Sequence, residues 1–252
     1  MRILNETLYL LFPFRCQICG KLADSSGRIQ GLDSEFRRLM KREPGYRICG
    51  KCLTEAVPNA KDKRWFICLS EPMEGDPYPE LTLYIAFPYD GVIRRSELEI
   101  KFGRNEDLAV MLGMILGKIM SEDGISASLM IPVPLSSERM KERGFNQAAS
   151  VAAAAAYVLG IPFAPDVLVR TRNTGRQTEC RDNGERSANV EGAFSLSDKW
   201  DVTGMTVILT DDVATTGFTL HEAAAALLRG GASTVLCAAL SGNRQSKNSE
   251  SF

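Results

Sequence analysis

Between residues 81 and 241 the apolar positions fall into short unbroken runs separated by stretches with helical spacing. The runs are Leu81–Phe87, Leu129–Leu135, Leu168–Arg170, Val207–Leu209 and Thr234–Leu240, with Ala193–Leu196 as a further short candidate. Each is too short for a helix and bounded by turn residues, so each predicts a strand. Between them, Val92–Phe102, Asn105–Met120, Ala148–Leu159 and the alanine-rich stretch up to Gly230-Gly231 carry apolar residues at helical spacing. Asn105–Met120 is apolar on most sides and is expected to be buried. Ala148–Leu159 has very small side chains, suited to close packing on a sheet. Strands alternating with helices predict an α/β domain built on a parallel sheet covered on both faces. Pro132 and Pro134 predict that their strand stops pairing at its carboxyl end.

Composition narrows the class. Of 252 residues, 44% are hydrophobic and 24% charged, which is the balance of a soluble globular protein. With a formal net charge of −1, any nucleic-acid binding has to rest on a local basic patch. No apolar run approaches the roughly 20 residues that span a bilayer. The apolar stretch Leu8–Phe12 is short and lacks a small-residue cleavage site, so no signal peptide is expected. Four of the seven cysteines form two Cys-x-x-Cys pairs, Cys16/Cys19 and Cys49/Cys52. The bland alternatives are four ordinary buried cysteines or a redox pair. Two spaced pairs near one terminus favour a tetrathiolate zinc site and a reducing, cytoplasmic setting. Cys68, Cys180 and Cys237 are expected to be packing residues or surface thiols. The expected organisation is a short amphipathic helix and zinc module over 1–66, and a charged, proline-containing linker over 67–80. An α/β domain follows over 81–243, and then a polar tail over 244–252.

The stretch Val207–Leu220 carries the chemistry. An apolar strand delivers Asp211 and Asp212, a compact Ala214-Thr215-Thr216-Gly217 turn follows, and a helix begins. Free N–H groups at such a turn suit a phosphate, and open α/β sheets bind ligands at the carboxyl ends of their strands. The two acids must address something other than that phosphate, with ribose hydroxyls or a metal as the candidates. Taken alone, two acids before a small-residue turn could be a surface turn; the order of strand, acids, turn and helix argues for a ribose 5-phosphate site. Upstream, Ser136–Gln147 gathers Arg139, Lys141, Arg143, Asn146 and Gln147 in a short span. The polar stretch 171–189, with Arg172, Arg176, Gln177, Arg181 and Arg186, predicts either a loop that orders over an anion or a solvated hairpin.

Val207–Leu220 resembles the PRPP-binding signature of type I phosphoribosyltransferases. Nearly all of 10–242 looks like the competence protein F (ComF) family. The resemblance is carried by both cysteine pairs, Tyr89-Asp90-Gly91 through Lys101-Phe102, Ile131–Leu135, and Arg143-Gly144-Phe145-Asn146-Gln147. It continues through Arg170–Thr174 with Gln177, and Arg186–Phe194. The charged insert between the cysteine pairs and Cys180 depart from the family pattern. The resemblance implies a type I phosphoribosyltransferase-like parallel sheet flanked by helices, with a small N-terminal zinc-binding module. It also implies PRPP binding and a role in handling incoming single-stranded DNA during transformation, and it implies no acceptor. In such a site Asp211 and Asp212 would address the ribose 2- and 3-hydroxyls, directly or through Mg²⁺. Backbone N–H groups of Ala214 to Gly217 would bind the 5-phosphate, assisted by the Thr215, Thr216 and Thr219 hydroxyls. Lys101, Arg139 and Arg143 would hold pyrophosphate, and Arg172, Arg176 and Gln177 would close over it.

Two readings of different classes follow. One is a PRPP-dependent transferase with an unidentified acceptor. The other is a PRPP-binding module whose zinc part contacts single-stranded DNA or a helicase partner. Arg37, Arg38, Lys41, Arg42, Lys61, Lys63 and Arg64, with Trp65 and Phe66 for stacking, could serve that contact or form a solvated charged face. His221, the single histidine, is expected to face solvent.

Overall fold

The computed structural model describes residues 15–22, 48, 49, 51, 52, 55, 81–171 and 192–242, and the backbone of 65–68. The central sheet holds β1 (Trp65–Cys68), β2 (Thr82–Pro88), β3 (Leu129–Pro132), β6 (Thr206–Ala214) and β7 (Thr234–Gly242) in the order β1-β2-β7-β6-β3. β2, β7, β6 and β3 run parallel, and β1 closes one edge in antiparallel pairing with β2. The stretch read as a linker thus begins inside an edge strand.

Side chains alternate between two cores, as a two-residue period dictates. On one face Tyr84, Ala86, Met130, Ile208, Ala238 and Leu240 pack with α1 (Gly91–Phe102), α2 (Glu106–Glu122) and α4 (Gln147–Leu159). On the other, Leu83, Ile85, Leu129, Ile131, Val207, Leu209 and Cys237 pack with Leu220, Ala223 and Leu227 of α5 (Phe218–Arg229). Cys237 is fully buried, a packing cysteine as expected. The small side chains of α4 serve a second purpose beyond the sheet. α2 lies against α4 so closely that a Cβ on Gly117 would stand 2.7 Å from the Ala155 carbonyl, and one on Gly113 would meet the Val151 carbonyl.

Two expected strands lie outside the main sheet. β4 (Leu168–Arg170) and β5 (Phe194–Leu196) form a separate antiparallel pair. Leu168 and Phe194 are buried with the α5-side core whereas Val169 is exposed, so the pair covers one face only and has no second face to bury within a sheet. A short helix, α3 (Ser137–Arg143), follows β3; the Ser136 hydroxyl accepts from the Arg139 N–H and left-handed Gly144 ends it.

Cys16, Ile18, Cys49 and Cys52 pack into the same core as Val92, Ile93, Ile100 and Leu108. Gln17 donates from Nε2 to Asn105 Oδ1 at 3.3 Å, and Asn105 Oδ1 also caps α2 by accepting from the Leu108 N–H. Among the described residues, no helix is long and apolar enough to cross a membrane. The expected helix over 1–14, the tail 244–252 and the basic residues at 37–42 and 61–64 lie outside the described residues.

Candidate active site and metal centre

A cleft of about 710 Å³ opens at the carboxyl ends of β3 and β6, bounded by the end of α1, by α3 and by the start of α5. Its position follows from topology, because the loops after parallel strands all leave the sheet at that end.

β6 runs through both acids to Ala214. Each aspartate is pinned by its own backbone: the Asp212 N–H donates to Asp211 Oδ1 and the Val213 N–H to Asp212 Oδ1, each at 2.8 Å. One carboxylate oxygen of each is therefore oriented before any ligand arrives. Their electrostatics differ. Burial, reinforced by the neighbouring Asp212 charge, pushes Asp211 up to about 8. Burial acts on Asp212 in the same direction, but Lys101 outweighs it and holds Asp212 below the usual carboxylate range. Lys101 reaches across from α1, with its Nζ 3.0 Å from Asp212 Oδ2.

After Ala214 the chain turns through Thr215 and Thr216. Gly217, the residue before α5, takes φ 80°, a left-handed conformation that a β-carbon would strain. Ala214, Thr215, Thr216, Gly217 and Thr219 all line the cleft, as do Asp211, Asp212, Lys101, Arg139 and Arg143. Arg143 donates to Gln147 Oε1 at 2.8 Å, and Asn146 donates to the Val133 carbonyl at 3.0 Å, tying the loop after β3 to α4. The folded chain thus brings together every described residue expected at the ligand site. Arg172, Arg176 and Gln177 lie outside the described residues. His221 is partly buried on α5 rather than plainly solvent-facing, and it does not line the cleft.

Other residues here were not singled out from sequence as ligand contacts. Arg170 lies 5.2 Å over the Phe194 ring and lines the cleft. Burial, with the nearby Arg139 charge, lowers its affinity for a proton. Arg104 lines the mouth and donates to the Glu142 carbonyl at 2.7 Å. Glu97 is fully buried one helical turn before Lys101, with Oε2 3.6 Å from Lys101 Nζ. Helical periodicity was the available signal for Glu97: the apolar face of α1 at Val92, Ile93, Ser96 and Ile100 includes position 97.

The four expected zinc ligands also meet. The sulfurs of Cys16, Cys19, Cys49 and Cys52 all lie within 4.8 Å of one another, and Cys19 and Cys49 Sγ are 3.8 Å apart. A tetrahedron with Zn–S of about 2.3 Å has sulfurs about 3.8 Å apart, so the spacing fits the ion. Burial pushes the Cys16 thiol up, yet N–H groups of Cys49, Cys19 and Ile18 more than offset it and bring it down to about 7. Cys52 goes the other way, raised by burial and by the neighbouring sulfurs. Four crowded thiols cannot all ionise without a cation among them. The four sulfurs leave no open position, as in a structural site. Magnesium fits the acid pair less well. Lys101 already pairs with Asp212 Oδ2, and a second cation there would be repelled.

Phosphoribosyl transferase domains, as a family, match residues 146–252. The DNA utilization protein YhgH of Salmonella typhimurium is 31% identical over 192 residues, which is 74% of each chain. Competence protein F of Haemophilus influenzae is 30% identical over 214 residues, spanning 84% of this chain and 89% of that protein. The chain belongs to the competence protein F family. In this chain, Cys16, Cys49 and Cys52 of the four-cysteine cluster belong to the core on one face of the α/β sheet. The glutamine PRPP amidotransferase of B. subtilis aligns over 56% of this chain and 30% of its own, at 21% identity and a TM-score of 0.39. That similarity is too loose to bear on function.

Proposed function

We propose that this competence protein F relative binds PRPP in the cleft and transfers its phosphoribosyl group to a nucleophilic acceptor. The observation that carries the reading is the convergence of three elements in one cleft. An acid pair, a phosphate-sized turn at a helix N-terminus and several arginines line the same space. In this reading, Ala214 to Gly217 receive the 5-phosphate on their backbone N–H groups. Asp211 and Asp212 accept hydrogen bonds from the ribose hydroxyls, Asp212 giving up its Oδ2 pairing with Lys101 to do so. Arg139, Arg143 and Arg170 face the pyrophosphate, whose charge grows as the C1–O bond breaks and a bond from the acceptor to C1 forms. Guanidinium groups suit that charge because they bind phosphate oxygens in pairs. Mg²⁺ would arrive on the pyrophosphate oxygens rather than on the acid pair. The zinc module is structural.

The names of the relatives, DNA utilization protein and competence protein, support a role in handling incoming DNA. Four cysteines gathered as a zinc-thiolate cluster, not as disulfides, support a cytoplasmic setting. Pyrophosphate release from PRPP, measured with a panel of bases and with single-stranded DNA, tests the transfer. Release abolished by Asp212→Ala supports a transferase. Binding of PRPP without release from any acceptor would instead assign the chain as a PRPP-responsive module acting through a DNA or helicase partner.

A further inference from the structure

A buried carboxylate outside the ligand-facing set calls for an explanation. Glu97 is fully buried on α1. Ser241 of β7 donates to its Oε1 at 3.3 Å, while its Oε2 has no hydrogen-bond partner and lies 3.6 Å from Lys101 Nζ. Burying a carboxylate this way is unfavourable unless it is paired or holds a proton. The charged groups around it are Lys101 on its own helix, Asp211 and Asp212 on β6, and Arg143 on α3, whose charge acts on Lys101 and Asp212. Ser241 completes the surroundings from β7.

In the ligand-free cleft Lys101 is held chiefly by Asp212, at 3.0 Å. If Asp212 turns its charge to ribose hydroxyls, Lys101 loses its nearest partner while remaining largely enclosed. Glu97 is the carboxylate that stays. We propose that Glu97 is a positioning residue for PRPP binding: it retains Lys101 as a charged, fixed cation on the cleft floor when the ligand engages Asp212. This role rests on the PRPP reading of the cleft. Glu97 touches no ligand in it.

The arrangement has a proton consequence. Burial first, and the Asp212 charge second, push Glu97 up to about 8, while Lys101 pulls it down. Without ligand, Glu97 therefore holds a proton over much of the neutral range. Once Asp212 is engaged and Lys101 turns to Glu97, that proton leaves. Binding should release a proton near neutral pH, and affinity should rise as pH climbs toward 8.

Calorimetry of PRPP with Mg²⁺, run in buffers of differing ionisation enthalpy, reads that proton directly. For wild type we expect net proton release that shrinks above pH 8. For Glu97→Gln, which keeps shape and leaves Asp211 as the remaining raised carboxylate, we expect less release than wild type, a shallower pH profile and about tenfold weaker binding at pH 8, the effect of roughly one pKa unit of lost interaction. Wild-type binding with an identical pH profile and affinity in Glu97→Gln would overturn the role of Glu97 alone. Failure of wild type to bind PRPP at all would overturn the ligand assignment, and the positioning role with it. A ligand-free arm separates the two. Carboxyl NMR should show Glu97 titrating at higher pH in Lys101→Met than in wild type; an unchanged titration would show that Glu97 does not hold Lys101.

Discussion

Lys101 of α1 and Asp212 of β6 meet as an ion pair at 3.0 Å, joining a helix to the strand that carries the acid motif. Both side chains are mostly enclosed, at 17% and 13% exposure, so solvent screens the pair only partly. Removing the cation leaves Glu97, Asp211 and Asp212 close together without the α1 cation that pairs with Glu97 and Asp212. We expect Lys101→Ala to lower stability by about 3–5 kcal/mol at pH 8, the usual effect of stripping one partner from a buried pair. The loss should shrink at pH 5.5, where Glu97 and Asp211 are protonated. Urea unfolding at the two pH values checks this.

The same carboxylates give the wild-type fold a characteristic pH dependence. Glu97 and Asp211 are raised to about 8 from ordinary values of 4.5 and 3.8. A group whose folded pKa is raised stabilises the fold below its unfolded value, and that contribution is lost as pH climbs through the folded value. Ligand-free stability should therefore decline from about pH 5 to about pH 8 and then level off. Asp212 is shifted down, so its contribution acts in the opposite sense and disappears only on strong acidification. Glu97→Gln should make the decline shallower, leaving the share of Asp211, as followed by thermal unfolding across pH.

Metal removal should affect more than the module. Cys16, Cys49 and Cys52 share a core with α1 and α2, and Gln17 reaches the cap of α2. Elemental analysis should find one zinc per chain. Chelation under reducing conditions should lower the melting temperature and loosen the amides of α1, seen by hydrogen exchange. A chelated, zinc-free protein with unchanged melting and exchange would contradict the site.

Gly117→Ala tests the close approach of α2 to α4. The added carbon would press on the Ala155 backbone at 2.7 Å, a neighbour that cannot rotate away. We expect a destabilisation of about 1–3 kcal/mol from overpacking, against a small gain in helix propensity. Denaturant midpoints would show it.

Much of this architecture was legible along the chain. The runs at 81–87, 129–135, 207–209 and 234–240 marked parallel strands because strands buried on both faces read as continuous apolar stretches. The acid-turn-helix order marked one end of the cleft because each element is local in sequence. What the chain concealed is non-local. β4 and β5 read as members of the main sheet, since a three-residue run does not reveal its pairing partner. β1 sat in a stretch of charge and proline that reads as linker. Lys101 was expected among the pyrophosphate-holding cations, and nothing near it in sequence announces its pairing with Asp212, 111 positions away. Glu97 is the opposite case. Its burial was implied by the periodicity of α1, but a single glutamate on an apolar face gives no hint of its function until Ser241 and Lys101 are found beside it.

The most direct test of the central claim is a calorimetric titration of the zinc-loaded protein with PRPP and Mg²⁺, comparing wild type with Asp211→Ala and Asp212→Ala. A ribose-phosphate cleft built on that acid pair predicts saturable one-to-one binding by wild type and a loss of about tenfold or more in each variant, as expected when charge-assisted hydrogen bonds are removed. No binding by wild type, or binding that neither substitution changes, would contradict it.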